Sequence, residues 1–97
     1  MKIGTKVIQV GNEPDKETGA VIPPIFQTST FAQSSPGVHK GYEYTRSHNP
    51  TRTRLEQCLA SLENGKYALD TSSGMAAEML IMHALKPGST VLCSDDV

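Results

Sequence analysis

The stretch Lys66–Ser94, KYALDTSSGMAAEMLIMHALKPGSTVLCS, decides the fold class. Its first residues, Lys66–Thr71, predict a short strand. Ser73 is a suitable N-cap for a helix over Gly74–Leu85, which is rich in Ala, Met and Leu. Thr90–Ser94, with two adjacent apolar residues, predicts a second strand. Strand, helix and strand in this order form one right-handed crossover unit, so the sequence predicts an α/β fold.

A second helix is predicted immediately upstream of this unit. Asn49 can cap it, Pro50 suits its first turn, and Gly65 can close it. The apolar residues between them recur at the spacing of one helix face; they are Leu55, Cys58, Leu59 and Leu62. Because Cys58 lies on this apolar face, we expect it to act as a small buried hydrophobic residue, with an activated nucleophile as the less favoured reading.

The first half of the chain differs from the second in its residue pattern, with a boundary near Asn49. Glycines and prolines recur from Gly11 to Pro50 among Ser, Thr and Gln, and this density of breakers excludes a long helix. Only Thr5–Val10 predicts a short helix or strand. We therefore expect residues 1–48 to form an extended arm whose apolar residues are buried against another chain or domain, and residues 49–97 to begin a separate domain.

Composition excludes several classes of protein. The chain has 97 residues, of which 37% are hydrophobic and 20% charged, as is ordinary for a globular protein. The net charge of −1 and the scattered Lys and Arg give no electrostatic reason to bind nucleic acid or an anionic membrane. We expect neither kind of partner.

Metal and targeting signals are not found in the sequence. The cysteines Cys58 and Cys93 lack CxxC spacing, and the three histidines, His39, His48 and His83, form no known ligand motif, so no metal site is predicted. The opening residues contain no apolar run long enough for a signal peptide or membrane span. These features favour a cytoplasmic protein with reduced cysteines.

The turn Thr71–Ala76, TSSGMA, between the predicted strand and helix is a candidate anion site. The free N–H groups of a first helical turn and the helix dipole favour negative charge, and Gly74 lets a phosphate approach the backbone. A plain Ser N-cap followed by an unliganded turn is the alternative reading. The turn is neither a GxSxG elbow nor a Walker loop.

A second candidate site lies in Tyr42–Arg52, YEYTRSHNPTR, where aromatic residues and arginines crowd before a helix. In an extended segment alternate residues face the same way, so the phenol of Tyr44 and the guanidinium of Arg46 could hold one phosphate or carboxylate together. The alternative is a solvent-facing loop in which Arg46 pairs with Glu43 or with nothing.

Taken together, the motifs resemble one enzyme family. The sequence is similar to the trans-sulfuration family of pyridoxal-phosphate enzymes. The similarity lies in the run Gly41–Arg52, in Ser72–Ala77 at the proper distance after it, and in the arm residues Val21–Ile25 and Thr28–Phe31 before it. The closing residues Cys93–Val97 most resemble the cystathionine gamma-lyases of that family. The resemblance implies the aspartate-aminotransferase-like fold, also called fold type I, with residues 49–97 as the truncated start of the cofactor domain.

The resemblance also implies roles for particular residues. Residues matching Tyr44 and Arg46 bind the phosphate of pyridoxal phosphate held by the neighbouring subunit, which implies a homodimer or homotetramer. Residues matching Gly74 and Met75 offer backbone N–H groups to the phosphate of their own subunit. His48 stands where relatives often have a small or polar residue, and its role stays open. No catalytic residue is expected here, because the cofactor-binding lysine, the aspartate at the pyridine nitrogen and the stacking tyrosine of the family lie downstream.

The activity that the resemblance implies for a full-length enzyme is cleavage of cystathionine, an amino-acid substrate, to cysteine, 2-oxobutanoate and ammonia. Cystathionine gamma-synthase, methionine gamma-lyase and homoserine sulfhydrylase activities remain alternatives within the family. We expect the chain to be an N-terminal fragment without activity of its own. A short noncatalytic anion-binding module is the rival from another class, and a stop codon after Val97 in the intact gene would favour it.

Overall fold

The structure is a computed structural model that describes residues 1–96. It contains three helices and one two-stranded sheet. Along the chain they are α1 (Ile3–Gln9), β1 (Gln33–Ser35), β2 (Val38–His39), α2 (Pro50–Leu62) and α3 (Gly74–Ala84). The prediction of a short element near the N-terminus is confirmed, and it is a helix.

The helix α2 begins and ends close to where the sequence predicts. The side chain of Asn49 caps it by accepting a hydrogen bond of 2.8 Å from the amide of Thr51, and Pro50 occupies the first turn. At the other end the amide of Gly65 donates to the carbonyl of Ala60 at 2.8 Å. The left-handed residue of this C-terminal motif is Asn64, with φ of 54°, rather than the glycine that follows it.

The helix α3 also matches its prediction. Ser73 caps it, and its hydroxyl oxygen accepts a hydrogen bond of 3.1 Å from the amide of Ala76. The helix ends at Ala84, one residue before the predicted end. A turn follows, in which the amide of Ser89 donates to the carbonyl of Lys86 at 3.1 Å.

The two predicted strands that flank α3 are not formed. Residues 66–71 and 90–94 carry no strand in the described part of the chain. A strand is defined by hydrogen bonds to a neighbouring strand, and residues 1–96 provide neither segment with one. The prediction of a complete strand-helix-strand unit within this chain is therefore wrong, although its helix is correct.

The sheet lies instead in the first half of the chain. Strands β1 and β2 pair antiparallel, with Gln33 opposite His39, around a turn in which Gly37 has φ of 78°. The amide of Gly37 donates to the side-chain carbonyl of Gln33 at 2.8 Å. An isolated bridge between Thr30 and Tyr44 extends the same antiparallel pairing. Sequence reasoning missed this hairpin, although a Pro-Gly pair such as Pro36-Gly37 is a recognised turn signal.

The helix α1 packs against α2. The ammonium of Lys6 donates to the carbonyl of Ser61 at 2.8 Å, and the Sγ of Cys58 lies 4.0 Å from the carbonyl oxygen of Val7. Cys58 is half-buried, so the expectation of a buried thiol is met only in part. Within residues 1–96 no hydrophobic side chain is fully buried, and α3 packs on no other helix or strand.

None of the helices among the described residues is long and apolar enough to cross a membrane.

Candidate functional site

The N-terminus of α3 presents free backbone donors. The hydroxyl oxygen of Ser73 accepts a hydrogen bond from the amide of Ala76. The preceding amides, those of Gly74 and Met75, have no acceptor within residues 1–96. A Cβ added to Gly74 would meet nothing within 4 Å, so the space beside these amides is open. Met75 is 67% exposed. Free N–H groups at the positive end of a helix, with open space beside them, fit a phosphate.

The second candidate pair, Tyr44 and Arg46, lies on the arm side of α2. The guanidinium carbon of Arg46 is 4.8 Å from the centroid of the Tyr44 ring, so the two side chains are neighbours. Arg46 is exposed and makes no ion pair with Glu43 or any other carboxylate in the part of the chain that the structure describes. A cation without an anionic partner at this position is available to an external anion.

The backbone that carries this pair is held by Asn49, the most buried polar residue of the described chain at 4% exposure. Its side-chain amide donates to the carbonyl of Phe26 at 3.1 Å and to the hydroxyl of Thr45 at 3.2 Å. Asn49 therefore does more than cap α2, because it also ties the arm to the loop that presents Arg46. Sequence reasoning identified the cap and missed these two bonds.

Sequence reasoning also missed Arg52. Its guanidinium donates to the carbonyl of Thr45 and, through Nε, to the carboxylate of Asp70, with the closer oxygen 2.8 Å away. The backbone amide of Asp70 donates to the side chain of Glu56 at 3.1 Å. Burial raises the pKa of Asp70, but its hydrogen bonds with Glu56 and Arg52 and the positive charge of Arg52 outweigh burial and hold that pKa below its ordinary range.

His48 is placed beside Tyr42 rather than at either donor group. The two ring centroids are 6.3 Å apart, and the Nδ1 of His48 lies 2.7 Å from the carbonyl oxygen of Ser47. His48 is exposed, and these local contacts assign it no role in either candidate site.

Two surface grooves, of about 340 and 400 Å³, lie elsewhere. The first is formed by α1, α2 and the segment Ile22–Ile25, and the second by the β1–β2 hairpin. Neither is lined by the four predicted phosphate-binding residues, Tyr44, Arg46, Gly74 and Met75. No hydrogen bond joins the Tyr44–Arg46 pair to the N-terminus of α3 within residues 1–96. No group of three His, Cys, Asp or Glu side chains suited to a metal occurs among the described residues.

The sequence matches a family described as Cys/Met metabolism PLP-dependent enzymes over residues 4–97. It is 54% identical over 95 residues to a cystathionine beta-lyase of Coxiella burnetii, covering 98% of this chain and 24% of that protein. It is 55% identical over 97 residues to a cystathionine gamma-lyase of Dictyostelium discoideum, covering 99% and 25%. The crystal structure of cystathionine gamma-lyase from yeast superposes with a TM-score of 0.78 at 47% identity, covering 92% of this chain and 23% of that one.

The fold is that of a pyridoxal-phosphate enzyme of fold type I, and the structural match confirms the predicted α/β class. The chain belongs to the family of pyridoxal-phosphate-dependent enzymes of cysteine and methionine metabolism. This confirms the resemblance drawn from the sequence motifs. The chain spans about a quarter of the length of the curated relatives it matches.

Proposed function

We propose that this chain is the N-terminal part of a carbon-sulfur lyase that cleaves cystathionine to cysteine, 2-oxobutanoate and ammonia. The observation that carries the proposal is the similarity to a cystathionine gamma-lyase at 55% identity over essentially the whole chain. The open backbone donors at the start of α3 add a physical reason for the cofactor. In this proposal the protein is cytoplasmic and takes part in cysteine biosynthesis.

Bound pyridoxal phosphate would supply an electron sink for carbanions of the substrate. The residues of this chain would hold its phosphate and so fix the position of the ring. The amides of Gly74 and Met75 would donate to the phosphate oxygens at the positive end of the α3 dipole. No residue of this chain is assigned to proton transfer or to nucleophilic attack.

Tyr44 and Arg46 would complete the phosphate site of a neighbouring subunit in a homodimer or homotetramer. Three features support this assignment: the exposure of Arg46, its lack of a carboxylate partner within the described chain, and its proximity to Tyr44. A planar guanidinium can give two parallel hydrogen bonds to phosphate, while the hydroxyl of Tyr44 adds a third donor. Residues 1–48 would then form the arm that contacts the neighbour, and residues 49–97 would begin the cofactor domain.

A second candidate is a related reaction on the same cofactor. The beta-lyase of Coxiella burnetii and the gamma-lyase of Dictyostelium discoideum are equally similar to this chain, at 54% and 55% identity. The phosphate-binding segments alone therefore do not select the substrate bond. Assays of the full-length enzyme with cystathionine, methionine and an activated homoserine distinguish a cystathionine gamma-lyase from a methionine gamma-lyase, a cystathionine gamma-synthase and a homoserine sulfhydrylase. The products formed from cystathionine then distinguish beta-cleavage from gamma-cleavage.

The shared site is tested by replacing Arg46 in the full-length enzyme. A charge-assisted hydrogen bond contributes about 1.5–3 kcal/mol, so Arg46→Ala should weaken cofactor affinity by about tenfold or more in a titration of the apoenzyme. Arg46→Lys should recover only part of that affinity, because an ammonium lacks the planar pair of donors.

Subunit mixing then tests whether Arg46 acts across the interface. Arg46→Ala subunits are combined with subunits that lack the cofactor-binding lysine. Some sites in the mixed assemblies contain both intact halves, and activity should return at those sites. Mixed assemblies that form and remain inactive would show that Arg46 does not act across the interface.

A further inference from the structure

Arg52 contacts two segments that are far apart in the sequence. It lies in the first turns of α2, with its side chain 33% exposed. One arm of the guanidinium donates to the carbonyl of Thr45. The Nε donates to the carboxylate of Asp70, 2.8 Å from one oxygen and 3.1 Å from the other. A single planar side chain therefore joins the loop before α2 to the segment before α3.

The first of these segments is the loop that carries Tyr44 and Arg46. Thr45 lies between them, and its backbone is bound on both sides. Its amide donates to the carbonyl of Ser29 at 2.8 Å, and its carbonyl accepts from Arg52. Thr45 lies in a turn that is closed by the hydrogen bond from the Ser47 amide to the Tyr44 carbonyl at 3.0 Å, so fixing its backbone also holds the two residues that flank it.

The second segment leads into the N-terminus of α3. Asp70 is three residues before the N-cap Ser73, and the hydroxyl of Thr71 donates to the carbonyl of Ser73 at 2.8 Å. Asp70 is itself fixed at two points, since its carboxylate accepts from Arg52 and its amide donates to Glu56. Both anchoring residues belong to α2, so that helix holds the segment that leads into α3.

We infer that Arg52 is a positioning residue that holds both phosphate-binding segments at once, through the Thr45 carbonyl and the Asp70 carboxylate. This inference rests on the proposed function. Under that proposal Tyr44 and Arg46 serve the neighbouring subunit's cofactor while Gly74 and Met75 serve their own. Arg52 then links two different cofactor sites, and its loss disturbs both halves of the phosphate site.

Hydrogen exchange of the full-length apoenzyme tests the structural part of the inference without cofactor or activity. In Arg52→Ala, residues 42–48 and residues 66–73 should both exchange faster than in the wild type. Arg54→Ala is the matched control, because Arg54 lies on the same helix and binds the carbonyls of Gly11 and Glu13 instead, each at 3.2 Å. Faster exchange in only one of the two segments of Arg52→Ala, or the same pattern in Arg54→Ala, would overturn the inference.

Cofactor titration tests the functional part through two double-mutant cycles. Arg52→Ala alone should weaken affinity for pyridoxal phosphate by about tenfold, the effect expected if the displaced segments together lose about one charge-assisted bond to the phosphate. In an Arg46→Ala background, and separately in a Gly74→Val background, the further loss should fall to about threefold, because residues that act together are not additive. Full additivity with either partner would refute a link to that segment, whereas Arg54→Ala should be additive with both.

Two outcomes keep this inference separate from the proposed function. If Arg46→Ala and Gly74→Val leave cofactor affinity unchanged by themselves, the proposed phosphate site is wrong. If both weaken binding but Arg52→Ala does not, the site stands and the positioning role of Arg52 fails. Where Arg52→Ala does not assemble, Arg52→Lys decides the question. A lysine keeps the charge beside Asp70 but lacks the planar guanidinium that reaches both acceptors. Arg52→Lys should therefore weaken cofactor affinity less than Arg52→Ala, and its effect should again be smaller in the Arg46→Ala and Gly74→Val backgrounds.

Discussion

The helices α2 and α3 begin in the same way and are held very differently. Each has a polar N-cap whose side chain accepts a hydrogen bond from the first turn, Asn49 for α2 and Ser73 for α3. The helix α2 and its cap also contact α1, the arm and Asp70. Among the described residues, no other helix or strand packs against α3. A cap therefore sets where a helix begins, and other residues decide whether the helix is fixed in space.

The side chains of α3 show the same contrast. Met75 and Ile81 are 67% and 62% exposed, although an apolar helix of this kind is normally covered. An isolated helix of 11 residues is marginal in water, so the cap alone gives α3 little stability. Within residues 1–96 taken by themselves, substitutions around α2 should therefore cost more than equivalent substitutions at the start of α3.

The largest effect is expected at Gly11, where α1 meets α2. Gly11 is buried with φ of 81°, and an added Cβ would lie 2.3 Å from the carbonyl oxygen of Arg54. Gly11→Ala in the full-length enzyme should lower the free energy of unfolding by about 2–5 kcal/mol, as strain of a left-handed residue and overpacking combine. Thermal or urea denaturation measures this loss.

Two other glycines separate the causes. Gly19 also has positive φ, of 72°, but an added Cβ would meet nothing within 4 Å, so Gly19→Ala should show the strain alone, about 1–2 kcal/mol. Gly4 lies within α1 with open space around it, and Gly4→Ala should be neutral or stabilising. An equal effect at Gly11 and Gly19 would show that the contact with Arg54 does not matter.

A smaller effect is expected from the two caps. Ser73→Ala should cost about 1 kcal/mol, the usual value of an N-cap. Asn49→Ala should cost about 2–3 kcal/mol, because it also removes the donor to the carbonyl of Phe26 and to the hydroxyl of Thr45. Asn49→Ser keeps a capping oxygen and should recover only the cap. If denaturation shows equal losses at Asn49 and Ser73, the extra bonds of Asn49 contribute nothing.

The smallest effect concerns pH and the ion pair between Arg52 and Asp70. Because the pKa of Asp70 is lowered on folding, its contribution is complete above the unfolded carboxyl pKa of about 3.9 and is lost as the pH falls through the lower folded value. The pair is partly exposed, so the loss should be about 1 kcal/mol or less. Thermal midpoints measured between pH 3 and 6 should fall less steeply for Asp70→Asn than for the wild type. Identical slopes would contradict this assignment.

The sequence predicts those features that depend on neighbouring residues. Asn49 and Ser73 mark the starts of α2 and α3 because a cap acts on amides two or three residues away. The strands expected at residues 66–71 and 90–94 fail because a strand requires a partner, and pattern alone does not supply one.

The same reasoning applies to the candidate site. The sequence predicts that Tyr44 and Arg46 are neighbours, but from an extended segment. The structure brings them together in a turn, in which the Ser47 amide donates to the Tyr44 carbonyl at 3.0 Å. The bond from Arg52 to Asp70 spans 18 residues, and nothing in the local pattern pairs that arginine with that carboxylate. The phosphate-binding roles of Tyr44, Arg46, Gly74 and Met75 stay predictions.

The C-terminal motif of α2 has a consequence for the chemical ageing of the protein. Asn64 and Gly65 form an Asn-Gly pair, the sequence in which a backbone nitrogen most readily attacks the preceding side-chain amide to give a succinimide and release ammonia. Both residues are exposed, yet the Gly65 amide is engaged with the carbonyl of Ala60 at 2.8 Å. That bond restrains the attacking nitrogen, so the C-terminal motif of α2 should slow deamidation of Asn64.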